Sequence, residues 1–170
     1  GGIVYLDSQK ASRDTVGGKV EVKTTVNKED KIKKYAVAKE ITTPDGFINT
    51  PSNPSGQASP ITIGEFVGKK VVLLDIWTYS CINCKRTTPY LNDWYEKYND
   101  KGLVIIGLHT PEFEFEKNYE NVLEATKKLG IKYPVVLDND YSTWNAYENR
   151  YWPRKYLIDI DGFVVYDHIG

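Results

Sequence analysis

Residues 71–77 read Val-Val-Leu-Leu-Asp-Ile-Trp, an almost unbroken apolar run carrying one carboxylate. A strand that is apolar on both sides of its pleat has to be covered on both faces. It therefore belongs inside a layered α/β domain, not in a sheet with one face in water. Beyond it the apolar spacing changes from strand-like to helical, with Leu91, Trp94, Tyr95 and Tyr98 at i, i+3, i+4 and i+7. A buried strand thus runs into a helix predicted over 81–98, and the junction holds the chain's two cysteines in Cys81-Ile-Asn-Cys84.

The same alternation continues downstream. Leu103–Leu108 and Tyr133–Leu137 read as buried strands, separated by a helix predicted over 114–129 with Tyr119, Val122, Leu123 and Thr126 on one face and Gly130 as its stop. Ser142–Glu148 reads as a short helix with Asp140 or Ser142 as cap. The runs 155–160 and 163–169 flank Asp161-Gly162, a hairpin turn. The expected fold class is α/β, a central mixed sheet flanked by helices, mostly parallel with an antiparallel edge.

The region before residue 60 differs. All four Trp and both Cys lie after it, and 49–60 is a Pro/Ser/Asn loop. Residues 19–26 alternate valine with polar residues like an edge strand, and Asn27 can cap a helix over 28–38. These features divide the chain into an N-terminal extension or linker, 1–45, and a domain, 46–170.

At 170 residues the chain is long enough to bury roughly 70% of its unfolded surface without staples. A net charge of −1 argues against a strongly basic nucleic-acid surface. The longest aliphatic run, Val71–Leu74, is far short of the ~18 apolar residues of a membrane helix. A chain that opens Gly1-Gly2 and contains no methionine reads as part of a longer precursor, with any export or membrane element elsewhere.

A disulfide closing so short a loop stabilises by only about 2 kcal/mol, against about 4.7 for a hundred-residue loop. As a staple the pair is poor; as a reversible two-electron couple its spacing is right. A zinc site would need His109 and His168, which lack short ligand spacing. The dipole and free amides at a helix N-terminus stabilise a thiolate, so Cys81 is the expected nucleophile. Cys84, one turn on, can then attack a mixed disulfide at Cys81.

Asp75 breaks the buried strand. A desolvated carboxyl holds its proton towards neutrality, so Asp75 can relay one to or from Cys84; the alternative is a structural, hydrogen-bonded aspartate. Pro89 interrupts the helix and removes one backbone bond. Glu112, Glu114 and Glu116, alternating with Phe113 and Phe115, read as the solvated first turn of a helix. His109 is expected at a strand end near the site's edge.

Trp77-Thr-Tyr-Ser-Cys81-Ile-Asn-Cys84 resembles the active site of the thioredoxin-like family. Trp77–Leu91, 107–117, 133–140 and 151–159 resemble its TlpA/ResA-like branch, and most of all the extracytoplasmic thioredoxin domain of DipZ-type, CcdA-fused proteins. The likeness covers roughly 46–170. It implies that Asp75 is the buried carboxylate, that Pro153 is a cis-proline facing the cysteines, that Trp152 pairs through its backbone with the substrate, and that Trp77 packs beside the disulfide. It also implies an inserted helix–strand unit and a helix after the last strand; either truncation removed that helix, leaving an apolar patch on one sheet face that the N-terminal segment partly covers, or residues 27–40 substitute for it. Thr87 stands where some ResA-like reductases have a glutamate, a departure from the carboxylate that tunes their apocytochrome specificity.

The function expected is thiol–disulfide exchange with extracytoplasmic protein substrates, in the reducing direction and linked to cytochrome c biogenesis. Catalysis falls to Cys81, Cys84 and Asp75, and substrate binding to Trp152, Pro153 and Trp77. Electrons would come from a membrane donor of the CcdA type, with no metal, organic cofactor or nucleic acid. Two alternatives stay open. One is a thiol peroxidase, since Thr78-x-x-Cys81 partly matches a peroxiredoxin motif; the other is a non-catalytic binding module with a structural disulfide.

Overall fold

The computed structural model describes residues 27–170. The edge strand expected over 19–26 lies outside the described residues. The chain divides into two compact units at Lys34/Tyr35. In the first, helix α1 spans Lys28–Lys34, and Asn27 Oδ1 caps it by accepting from Asp30 N at 2.9 Å. The helix stops short of the expected Ala38, because Ala36–Val37 form strand β1 of the second unit.

The second unit, residues 35–170, is built on one seven-stranded mixed sheet. Its strands are β1, β2 (Gly46–Ile48), β3 (Val71–Trp77), β4 (Leu103–His109), β5 (Val135–Leu137), β6 (Arg154–Ile158) and β7 (Phe163–Ile169). Their spatial order is β1-β7-β6-β3-β4-β5-β2. The β3, β4 and β5 strands are parallel, while β6, β7, β1 and β2 join antiparallel at the two sides. Residues 35–45, assigned by composition to the extension, thus include an edge strand of this unit, and Ile41 enters its core.

Four helices complete the description: α1, α2 (Ile82–Tyr98), α3 (Tyr119–Lys128) and α4 (Ser142–Ala146). The helix expected over 114–129 is broken into a 3₁₀ turn, Glu114–Lys117, and α3, because Asn118 takes an extended conformation and caps α3 by accepting from Asn121 N at 3.1 Å. Asp138, at the end of β5, accepts from Thr143 N and Trp144 N, both at 3.0 Å, and starts α4. At the hairpin, Gly162 has φ +88°, a conformation that favours glycine.

Strand alternation sorts the core. Val72, Leu74 and Ile76 face one layer, together with Ile106, Leu108, Trp144, Tyr156 and Ile158. Leu73 and Trp77 face the other, together with Leu91, Ile105, Val122, Tyr133 and Cys84. With its period of two, β3 therefore directs Asp75 to the layer that contains Cys84. On that side an open groove of about 430 Å³ is lined by Leu73, Trp94, Tyr98, Leu103, Leu157 and Tyr166, together with Lys155 and His168. Ala38 and Ile41 pack on the opposite layer, so this part of the N-terminal region does not cover the groove.

Candidate active site

Cys81 is the N-cap of α2, with extended backbone at φ −66° and ψ 121°. Its Sγ accepts from Cys84 N at 3.3 Å. One of the helix's free amides is thereby aimed at sulfur. Cys81 is partly exposed and Cys84 is buried; the two are not bridged. Burial, reinforced by the hydrogen bond with Cys81, pushes the Cys84 thiol well up from its ordinary value. The pair therefore divides into an outer sulfur that a partner protein can reach and an inner one that stays protonated until the proton has somewhere to go.

Asp75 lies beneath this pair, almost wholly buried. In register it sits between Gly107 on β4 and Lys155 on β6. Gly107 leaves room for the Trp77 indole and the Tyr133 ring; a Cβ there would come within 2.9 Å of Trp77 Nε1 and 3.1 Å of Tyr133 Cε2. Charge compensation comes from the other side, where Lys155 Nζ is 3.2 Å from Asp75 Oδ1. Burial raises the Asp75 carboxyl to about 6, with Lys155 holding it below what burial alone would impose. Its negative charge also contributes to the upward shift of Cys84, which places the two groups in electrostatic reach of each other.

On the outer side the Trp152–Pro153 peptide bond is cis, and the carbonyl oxygen of Trp152 is 3.9 Å from Cys81 Sγ. The Trp152 indole donates to Thr110 O at 2.8 Å and packs on Trp144, with ring centroids 4.3 Å apart. Trp77 packs beside the cysteines, as the resemblance implied, and is not exposed as its place among the expected substrate-binding residues requires. It is 2% exposed, packed in the same cluster as Cys84 and edge-on to His109 at 5.0 Å. As the last residue of a strand covered on both faces, it supports the pair from inside and offers no surface to a partner.

The loop before Cys81 is held by two groups whose roles the sequence concealed. His109, fully buried, accepts at Nε2 from Tyr79 N at 3.2 Å and lies 3.3 Å from Thr78 Oγ1. Burial lowers it to about 4, with nearby Glu116 partly opposing the shift, so it is neutral at physiological pH. Glu116 is fully buried, contrary to the solvated reading of its segment. It accepts from Ser80 N at 3.2 Å, from Ser80 Oγ, and from Glu112 N and Phe113 N at 2.7 and 3.0 Å. Burial alone would push this carboxyl up, but the donors outweigh it and hold it below the ordinary carboxylate range. Glu114 does face solvent, paired with Lys117 at 2.8 Å. Pro89 sits within α2 without ending it; lacking an N–H, it leaves the Lys85 carbonyl without its helical donor.

A buried carboxylate and a buried thiol thus lie behind a partly exposed thiol that caps the helix following the central strand. The thioredoxin-like family profile matches residues 68–164, and the chain belongs to that family. Among its relatives, DipZ of Mycobacterium tuberculosis is 50% identical over 125 residues, covering 74% of this chain and 17% of that protein. The ResA thiol–disulfide oxidoreductase of Bacillus thuringiensis is 32% identical, covering 67% of this chain and 68% of its own. The chain therefore spans only a small part, 17%, of the DipZ length. Of the solved structures, the thioredoxin domain of a thiol–disulfide oxidoreductase from Bacteroides vulgatus aligns with TM-score 0.60 at 27% identity, covering 79% of this chain and 88% of that one. Among the described residues no helix is long and apolar enough to cross a membrane.

Proposed function

We propose that this domain reduces disulfides in protein substrates outside the cytoplasm. Cys81 thiolate attacks one sulfur of the substrate disulfide and expels the other as a thiolate, leaving a mixed disulfide. Asp75, largely ionised at neutral pH, takes the Cys84 proton; Cys84 then attacks Cys81 Sγ and releases the second substrate sulfur. Two electrons pass to the substrate, and the domain is left with a Cys81–Cys84 disulfide for its donor to reduce. The Trp152–Pro153 turn holds the extended substrate segment against Cys81 by backbone pairing. The compartment, the link to cytochrome c biogenesis and a CcdA-type membrane donor rest on the likeness to DipZ-type proteins.

One observation carries the reading: a reachable sulfur capping a helix, with a buried thiol one turn behind it and a buried carboxylate below. The reducing direction rests on Ile82 and Asn83. Neither bears a charge, so no side chain between the cysteines adds to the helix end in stabilising the thiolate. A potential of about −200 to −280 mV is expected. Equilibration against glutathione redox buffers measures it, and a value near −120 mV would reverse the assigned direction. Insulin reduction should be lost in Cys81→Ser; turnover that survives this change excludes the mechanism.

A further inference from the structure

Residues 112–116 have their polarity inside out. In Glu112-Phe113-Glu114-Phe115-Glu116 the carboxylate of Glu116 is fully buried, while Phe113 and Phe115 are 49% and 54% exposed. Full burial of a phenylalanine is favourable and burial of a carboxylate is costly, so packing alone selects the opposite arrangement. The two rings are stacked, with centroids 5.5 Å apart and planes at 8°, and present a flat apolar face.

That face is fastened to both sides of Cys81. At one end Thr110 O accepts from the Trp152 indole at 2.8 Å, and Trp152 O lies 3.9 Å from Cys81 Sγ. Tyr141 also donates to Pro111 O. At the other end Glu116 holds Ser80 through both its amide and hydroxyl, and Tyr79 donates to Phe115 O at 3.4 Å. The Tyr79 ring meets Phe115 edge-on at 6.2 Å and stacks on His109 at 5.6 Å. The rings are thus built onto the residues that flank the nucleophile, and any protein whose disulfide reaches Cys81 lies over this neighbourhood.

We propose that Phe113, Phe115 and Tyr79 form a docking platform for the disulfide-bearing segment of the substrate protein, which places an apolar or aromatic side chain on it near the substrate cysteine. This rests on the oxidoreductase reading and adds a substrate preference to it. The buried Glu116 fixes the platform relative to Cys81, so that docking and attack share one rigid frame.

The test uses disulfide-linked octapeptide dimers, each with one phenylalanine at a different position around the cysteine, against an otherwise identical serine peptide. At one or two positions phenylalanine should raise kcat/KM about tenfold, the range of one buried aromatic contact. The double change Phe113→Ser and Phe115→Ser should bring that ratio to one while leaving the redox potential at its wild-type value. Phe113→Leu, a smaller perturbation, should retain part of the preference. Equal rates for all peptides with the wild-type domain, or a preference that survives the double change, overturns the platform while leaving disulfide exchange intact. Absence of turnover with every peptide overturns the oxidoreductase reading, and the platform with it.

Discussion

Asp75→Asn should change how stability depends on pH, by an amount the structure specifies. In the folded domain the carboxyl titrates at about 6, against an ordinary 3.8. A raised carboxyl means that the folded state binds the proton more tightly than the unfolded chain. Stability associated with Asp75 is therefore complete below 3.8 and is lost as pH rises to about 6. At about 1.4 kcal/mol per pH unit, the loss is about 3 kcal/mol. His109 works in the opposite direction. It is lowered from 6.5 to about 4, so its contribution is complete above 6.5 and is lost as pH falls towards 4, again by about 3 kcal/mol. In the wild-type domain the two slopes largely cancel over this window. Removing the Asp75 titration leaves the His109 slope exposed, and the variant should gain about 3 kcal/mol relative to wild type between pH 4 and 7. The attraction between Asp75 and Lys155 is already contained in that shift, since it acts only while Asp75 is ionised. Tryptophan-monitored guanidinium unfolding of both proteins, kept reduced, gives the difference at each pH. A difference that does not vary between pH 4 and 7 would refute the buried-carboxyl argument.

Other expectations follow from the same geometry. Cys84→Ser should arrest exchange after the first attack and accumulate a one-to-one mixed disulfide at Cys81, visible by non-reducing mass spectrometry; free turnover without an adduct contradicts the division of labour. Gly107→Ala forces a Cβ against Trp77 and Tyr133 and should cost about 1–3 kcal/mol in denaturant unfolding. Leu91→Ala removes a wholly buried side chain where α2 meets the sheet and should cost about 2–5 kcal/mol by the same measurement. Glu116→Gln exchanges a carboxylate for an amide among four donors and should cost about 1–3 kcal/mol at neutral pH. The Glu116 carboxyl lies below its ordinary value, so that difference should shrink as pH falls through the acid range.

Local pattern was sufficient for the elements whose signals lie within one segment. The apolar run 71–77, the i, i+3, i+4 spacing after Cys81 and the Asp161-Gly162 turn each correspond to an observed element, because burial on both faces, one helical stripe and a tight turn all leave marks in adjacent residues. The cysteine pair was legible for the same reason: its spacing and its place between strand and helix are local facts. Two short edge strands were not. The β1 and β2 strands carry too few residues to show a period, and exist because β7 and β5 offer them edges.

Tertiary structure decided what surrounds the sulfurs. Nothing adjacent to Asp75 in the chain announces Lys155, eighty residues on; the register of β6 against β3 puts the ammonium there. Glu116 looked like one of three solvated carboxylates until the break at Asn118 turned its segment into a 3₁₀ coil and directed it inwards to Ser80. Trp77 looked like a substrate contact until the layers closed over it. Sequence alone determined that the cysteine pair stands between a buried strand and a helix, and the order in which the chain delivers the groups around it. Their protonation, their partners and the surface offered to a substrate came from strand register and burial, because desolvation and Coulomb energy depend on distances between residues that the chain's order does not encode.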